Sequence, residues 1–191
     1  MLENIIGGYE VKKGILVALV VLGLVMGICL SGLAGASTEY TTLVIPKVNV
    51  QSGGNLSIVG GTVNSNQIDF ENMGPGTTQQ KTLTLGVTAN DVWRLTVGKS
   101  KDLYCSGPQD PGFEQYIPSS SFTYTSSGTG GFIYKSSDTQ FEGNGNPPSD
   151  VVTNGLAVSG SNVNVVYKLV VPGGQPKGYY VAHHTYTLIV G

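Results

Sequence analysis

Apolar and polar residues alternate through two segments near the end of the sequence, NVNVVYKLVVP (162–172) and YYVAHHTYTLIV (179–190). A period of two places the apolar side chains of each segment on one face of a β-strand. The two segments are separated by the turn residues Pro172 to Gly178. The sequence therefore predicts two long strands here, each with one buried face.

Shorter alternating runs recur along the rest of the chain, and no segment after residue 36 keeps a helical period. Lys81 to Ala89 and Val92 to Val97 are joined by the tight turn Asn90-Asp91, which predicts a β-hairpin. Further strands are predicted at Thr42–Val50, Leu56–Val59, Gln67–Phe70, Phe122–Ser126, Phe132–Tyr134 and Val151–Ser159. Many short strands without helices favour an all-β fold, an antiparallel β-sandwich of the Ig-like or jelly-roll-like kind.

The first 36 residues have the composition of an export signal. Lys12 and Lys13 precede the uncharged run Ile15–Leu30, and small residues follow, with Ala34 and Ala36 in an A-x-A pattern. A basic patch, an apolar core and such a site are typical of a secretory signal peptide. Cleavage after Ala36 would leave a secreted protein that begins at Ser37.

Two other interpretations of this leader stay open. The uncharged segment from Gly14 to Ala36 is long enough to span a bilayer as a helix, which would make it a membrane anchor. Lys12-Lys13-Gly14 before Ile15 also resembles a prepilin processing site, at which cleavage after Gly14 would keep the apolar helix for a filament core. In either case the membrane is contacted only through residues 14–36. The predicted organisation is a leader at 1–36, an N-terminal strand at 37–54 and a sandwich domain at 55–191.

The composition excludes some partners. Charged residues make up 12% of the chain, and the formal net charge is −2. Nucleic-acid binding calls for a basic face, so we predict no nucleic-acid partner. A surface of uncharged polar residues suits a protein that packs against copies of itself or one that carries sugars, and it is also typical of an ordinary extracellular β-domain.

Groups for chemistry are sparse. Cys105 is the one cysteine after the leader, which excludes an internal disulfide, and Asn55-Leu56-Ser57 is a sequon that a glycosylating host would modify. His183 and His184 are adjacent on a strand, so they point to opposite faces and cannot share a metal. The acidic loop Asp138–Asp150 lacks the EF-hand spacing. We predict no catalytic residue, no cofactor and no metal site, and hence a protein that is not an enzyme.

Two parts of the chain resemble secreted sandwich domains of prokaryotic surfaces. These parts are VTANDVWRLTV (87–97) and the final segments, with VYKLVVP (166–172) and TYTL (185–188). They are similar to WxL-type wall-binding domains and to strand-exchanging pilus or fibre subunits. Trp93 and Leu95 match the first WxL motif, whereas the second would fall at 185–188, where tyrosine replaces tryptophan.

The segment Ser37–Gly53 suggests a donor strand. An extended segment can complete the sheet of a neighbouring molecule by pairing with its open backbone edge. Its anchoring side chains would be Val44, Pro46, Val48 and Val50, or the opposite set Leu43 and Ile45. Gly53 and Gly54 would form the hinge. The alternative is that Thr42–Val50 is simply the domain's own first edge strand, which Pro46 favours because proline cannot donate to a ladder.

From these observations we expect a structural subunit of an extracellular filament or cell-surface layer, which polymerises non-covalently by donor-strand exchange. Its partners would be copies of itself. The alternative is a non-enzymatic cell-envelope binding module of WxL type, which would dock on wall polysaccharide or on a protein. Either protein would work at the cell surface.

Overall fold

The computed structural model describes residues 40–51, 53–63, 66–106, 116–143 and 145–191, with residues 40–43 as backbone. These residues form an all-β fold with one short 3₁₀ turn, Ser119–Ser121. The described strands are β1 (Tyr40–Val50), β2 (Gly54–Gly61), β3 (Ile68–Met73), β4 (Thr78–Ala89), β5 (Trp93–Lys99), β6 (Leu103–Cys105), β7 (Tyr116–Ile117), β8 (Phe122–Gly128), β9 (Ile133–Tyr134), β10 (Thr139–Gln140), β11 (Ser149–Gly155), β12 (Val158–Val170) and β13 (Tyr179–Val190).

The strands form two sheets. Sheet A has the order β3-β1-β13-β5-β11-β9, and β6 pairs with both β13 and β7 at its side. Sheet B has the order β10-β8-β12-β4-β2. The β1–β13 pair is parallel, whereas the other strand pairs of the described residues are antiparallel. The prediction of a purely antiparallel fold is therefore wrong for this one pair.

Both sheets contribute side chains to one hydrophobic core, which makes the fold sandwich-like. The predicted apolar faces are confirmed: Leu83 and Leu85 of β4 and Val163 and Val165 of β12 are buried, and so is Leu188 of β13. Alternate residues of these strands are more exposed. Burial of alternate apolar residues supplies the main free energy that holds the two sheets together.

The predicted hairpin at Asn90-Asp91 is wrong. β4 lies in sheet B between β12 and β2, whereas β5 lies in sheet A between β13 and β11. The turn carries the chain from one sheet to the other, and Val92 N donates to Asp91 Oδ1 within it. The alternation of the two flanking strands is the same in both arrangements, because each strand buries one face in the shared core.

The other predicted strands have counterparts, with some changes of boundary. β3 continues through Met73, three residues beyond the predicted end of this strand at Phe70. The run Val151–Ser159 is divided between β11 and β12. β7 and β10, each two residues long, were not predicted, and β10 lies within the predicted loop Asp138–Asp150.

The predicted leader, with Ala34 and Ala36, lies outside the described residues. The described part of the chain contains no helix with the length and apolarity that crossing a bilayer requires.

Candidate functional site

The predicted donor strand, β1, lies between two strands of sheet A. Residues Thr41 to Val50 pair in parallel with Tyr179 to Leu188 of β13. On its other side β1 pairs antiparallel with β3, from Tyr40 opposite Met73 to Val44 opposite Ile68. Within the described strands β1 is the only sheet neighbour of β3, so β1 connects β3 to the rest of sheet A.

The position of β1 changes along its length. Up to Val44 it has a neighbour on both sides, so the alternative of an ordinary edge strand is wrong for this half. Beyond Val44, β13 is the only partner strand of β1 among the described residues. Pro46 lies in this second half, where the described residues pair with one side of β1 and the missing N–H of proline is tolerated.

The predicted anchoring side chains divide between buried and exposed positions. Val44 and Pro46 are buried, Val50 is partly buried against the core, and Val48 is 40% exposed. Val48 is exposed because β1 forms the sheet edge there. Of the opposite set, Ile45 is half-buried, and the side chain of Leu43 lies outside the described part. The strand is thus held by backbone pairing with β13 and β3, by the buried Val44 and Pro46, and by the partly buried Val50.

The predicted hinge glycines form a tight corner between the two sheets. Gly53 has a φ of +65°, and a Cβ there would lie 2.8 Å from Asn90 Oδ1. A Cβ on Gly54 would lie 2.7 Å from the carbonyl oxygen of Thr88. Glycine is the residue that permits both the left-handed conformation and the close approach. The corner therefore allows β1 to pass from sheet A directly to β2 in sheet B.

The WxL-like residues Trp93 and Leu95 are both buried. The indole Nε1 of Trp93 donates a 2.7 Å hydrogen bond to the carbonyl oxygen of Leu156. Phe132 packs edge-on against the indole at a centroid distance of 5.0 Å, and a Cβ on Gly155 would overlap it. Because its ring is enclosed and its N–H is hydrogen-bonded, Trp93 packs in the core and offers no exposed ring surface to a wall polysaccharide.

A hydrogen-bonded chain that the sequence analysis missed lies between the sheets. The Tyr167 and Tyr186 hydroxyl oxygens are 2.7 Å apart, and His184 Nδ1 is 3.4 Å from the Tyr167 oxygen. Phe122 and Phe141 pack on the His184 ring at centroid distances of 5.6 and 4.1 Å. The alternation of β12 and β13 placed these polar side chains on inward faces, and that was the signal available in the sequence.

His184 is a buried neutral base. Burial is the main reason that its pKa falls from 6.5 to about 3, and the positive charge of Lys99 and the neighbouring His183 lower it further. Its Nε2 has no hydrogen-bond partner among the described residues. Burial also raises the pKa of the Tyr167 and Tyr186 hydroxyls. At neutral pH the side chains of Tyr167, Tyr186 and His184 are therefore all uncharged. This state suits a structural role, and none of the three is poised to act as a base or a nucleophile.

Lys99 lies beside these hydrogen-bonded side chains in a small polar cluster. Its Nζ is 2.5 Å from Asp102 Oδ1 and contacts Ser119 Oγ, and Ser119 Oγ donates to the same carboxylate at 2.6 Å. The ammonium and carboxylate neutralise each other, which permits the deep placement of Lys99. The cluster joins the end of β5 to the 3₁₀ turn before β8.

The remaining candidate groups are scattered. Cys105 is a buried thiol on β6, and Asn55 is exposed on the edge strand β2. Asp138 pairs with Lys168 at 2.5 Å, whereas Glu142 accepts a hydrogen bond from Asn146. Within the described ranges, no three acidic, histidine or cysteine residues are grouped so that they could hold a metal ion.

No protein-family model matches this chain, and no curated protein matches it either. The likenesses to WxL-type domains and to pilus subunits therefore rest on the quoted motifs alone.

Proposed function

We propose that this protein is a structural subunit of an extracellular filament or cell-surface layer, in which each copy donates β1 to sheet A of a neighbour. The observation that carries this proposal is the place of β1 inside sheet A, between β3 and β13. A molecule whose β1 has moved away has a one-strand gap with two open backbone edges. Such edges bind an added strand through main-chain hydrogen bonds.

The contacts of β1 favour exchange between copies. Its backbone pairs with β13 from Thr41 to Val50, and among its described side chains Val44 and Pro46 are buried. The same strand from a second copy would make identical contacts in the gap, as in domain swapping. If each copy donates to the next and the series does not close, the product is a filament.

In finer detail, we propose that the two sheets form an Ig-like or jelly-roll-like sandwich. The shared core and the enclosed Trp93 support this assignment, since a buried tryptophan between two sheets is a feature of Ig-type domains.

Strand donation is tested by removing β1 and adding it back. A chain that lacks residues 37–53 is expected to form no polymer, because its gap has no donor. A synthetic peptide of residues 37–53 is expected to bind this chain with 1:1 stoichiometry and to raise its thermal stability, which calorimetry and thermal unfolding would measure. The peptide should bind because its backbone restores both edges of the gap.

A matched pair of peptides controls for non-specific binding. Val44→Asp places a charge at a buried position, whereas Lys47→Asp places the same residue at an exposed one. Binding is expected to weaken at least about a hundredfold with Val44→Asp, since an unpaired buried charge costs several kcal/mol. Equal affinities of the two peptides, or polymers from the chain without 37–53, would show that β1 is not the donor.

Export is the second component of the proposal and has its own test. We expect mass spectrometry of the protein recovered from cell surfaces to find Ser37 as the first residue, because cleavage after Ala36 leaves β1 next to the new N-terminus. A start at Ile15 would instead indicate pilin-type processing and a filament with a helical core. A retained Met1 would indicate a membrane-tethered domain and would contradict both filament routes.

A further inference from the structure

One end of the domain gathers the corner between β1 and β2 with several loops. We call it the hinge end and define it by Gly53, Asn90–Val92, Gly155–Leu156 and Gly191. The backbone ties these parts together: Asn90 N donates to Gly53 O at 3.3 Å, and Gly191 N donates to Val92 O at 2.9 Å. The Trp93–Leu156 hydrogen bond attaches the third loop.

The hinge end exposes apolar side chains. Val92 is 52% and Leu156 62% exposed. Both adjoin the enclosed Trp93, since Val92 precedes it in the chain and the Leu156 carbonyl oxygen accepts the hydrogen bond of its indole. Ile133, which is 57% exposed, follows Phe132, whose ring packs on the same indole. Grouped apolar exposure of this kind marks an interaction surface more often than isolated exposure does.

The connection from β1 to β2 determines what would meet this surface after exchange. Only residues 51–53 separate Val50 from Gly54, and a fully extended connection of this length spans about 14 Å. A donated β1 that keeps its register on β13 places Val50 opposite the neighbour's Leu188, at the hinge end of the neighbour. Its own Gly54 stays at the hinge end of the donor, opposite Ala89.

We infer that the hinge ends of donor and acceptor pack against each other head to tail, with Val92 of one copy facing Leu156 of the next, so that the contact can repeat along the filament. The occupant of this surface is a second copy of the same chain, because the short connection brings that copy there and brings no other partner. Asp91 and Arg94 are both exposed near this surface, so two copies can also offer each other opposite charges. This contact rests on the proposed function, since it forms only if β1 is exchanged.

The contact is tested in the full chain with one charge at a time. Val92→Glu and Leu156→Glu are each expected to reduce the assembled fraction at least about tenfold, because a carboxylate would be desolvated between two apolar surfaces. Light scattering and electron microscopy would measure assembly. Circular dichroism and thermal unfolding are expected to show unchanged folding, because both side chains are exposed in the single domain.

Val59→Glu is the matched control. Val59 is 55% exposed, a fraction similar to that of Val92. It lies away from the hinge end, on the outer side of β2 beside Gly86 of sheet B. We expect Val59→Glu to assemble like the unchanged chain. If Val92→Glu and Leu156→Glu also assemble normally while removal of 37–53 abolishes assembly, the hinge-end contact is wrong and strand donation stands. If the unchanged chain does not assemble at all, the proposed function fails and the contact fails with it.

Discussion

Trp93→Ala is expected to lower the free energy of unfolding by about 4 kcal/mol, as is typical for removing a large aromatic side chain from a core. The indole fills the space against Phe132 and over Gly155, and glycine at 155 leaves no side chain that could move into the cavity. The substitution also leaves the Leu156 carbonyl oxygen without the hydrogen bond from Nε1. Chemical denaturation followed by circular dichroism would measure the change.

Trp93→Phe separates the two contributions. It keeps an aromatic ring and removes the N–H donor, so we expect a smaller loss of about 1–2 kcal/mol. A Trp93→Ala chain with unchanged stability would contradict the core assignment. If that stable chain also failed to sediment with purified cell envelope that the unchanged chain binds, the envelope-binding alternative would be favoured instead.

Acidification is expected to unfold the domain through His184. The unfolded chain binds a proton at this residue near pH 6.5, whereas the folded chain does so only near pH 3. Between these two pH values the unfolded state binds more protons than the folded state. The contribution of neutral His184 to the free energy of unfolding is therefore fully present above pH 6.5 and declines as the pH falls. The loss is about 2 kcal/mol by pH 5 and about 4 kcal/mol by pH 3.

The surroundings of His184 explain why the folded state resists this proton. The aromatic rings of Phe122, Phe141 and Tyr167 pack around the imidazole, and the positive charge of Lys99 also acts on it. A protonated imidazole would therefore be buried among apolar rings and would be repelled by a like charge.

His184→Gln is expected to reduce the slope of stability against pH between 5 and 6.5, whatever it does to stability at neutral pH. His183→Gln is the matched control, and it should retain the slope because His184 is still present. Urea unfolding at a series of pH values would give both slopes. An unchanged slope in His184→Gln would assign the acid sensitivity to another group.

Local pattern predicted the strands better than it predicted their partners. β13 runs from Tyr179 to Val190 as the alternation indicated, because each inward side chain contributes its own burial energy. The hairpin prediction at Asn90-Asp91 was wrong because the same turn residues occur both in hairpins and where a chain passes from one sheet to another. The position of β1 in sheet A could not be predicted from its local sequence either, since it depends on a strand almost 140 residues away along the chain.

The candidate site divides along the same line. Val44 as an inward residue could be predicted from the alternation, and the exposure of Val48 could not, because it results from where β3 stops. The hydrogen bonds among Tyr167, Tyr186 and His184 join neighbouring layers of the core. The alternation predicted that these side chains face inward, whereas their contacts with one another depend on how the two sheets pack.

The parallel pairing of β1 with β13 also sets the order of events during synthesis. β1 is the first of the described strands to be made and β13 is the last. Until the final strand is complete, the longer pairing of β1 cannot form within its own chain, and closing so large a loop slows folding further. Each newly made chain thus passes through a period in which β1 can pair with another molecule, because its own β13 has not yet been synthesised.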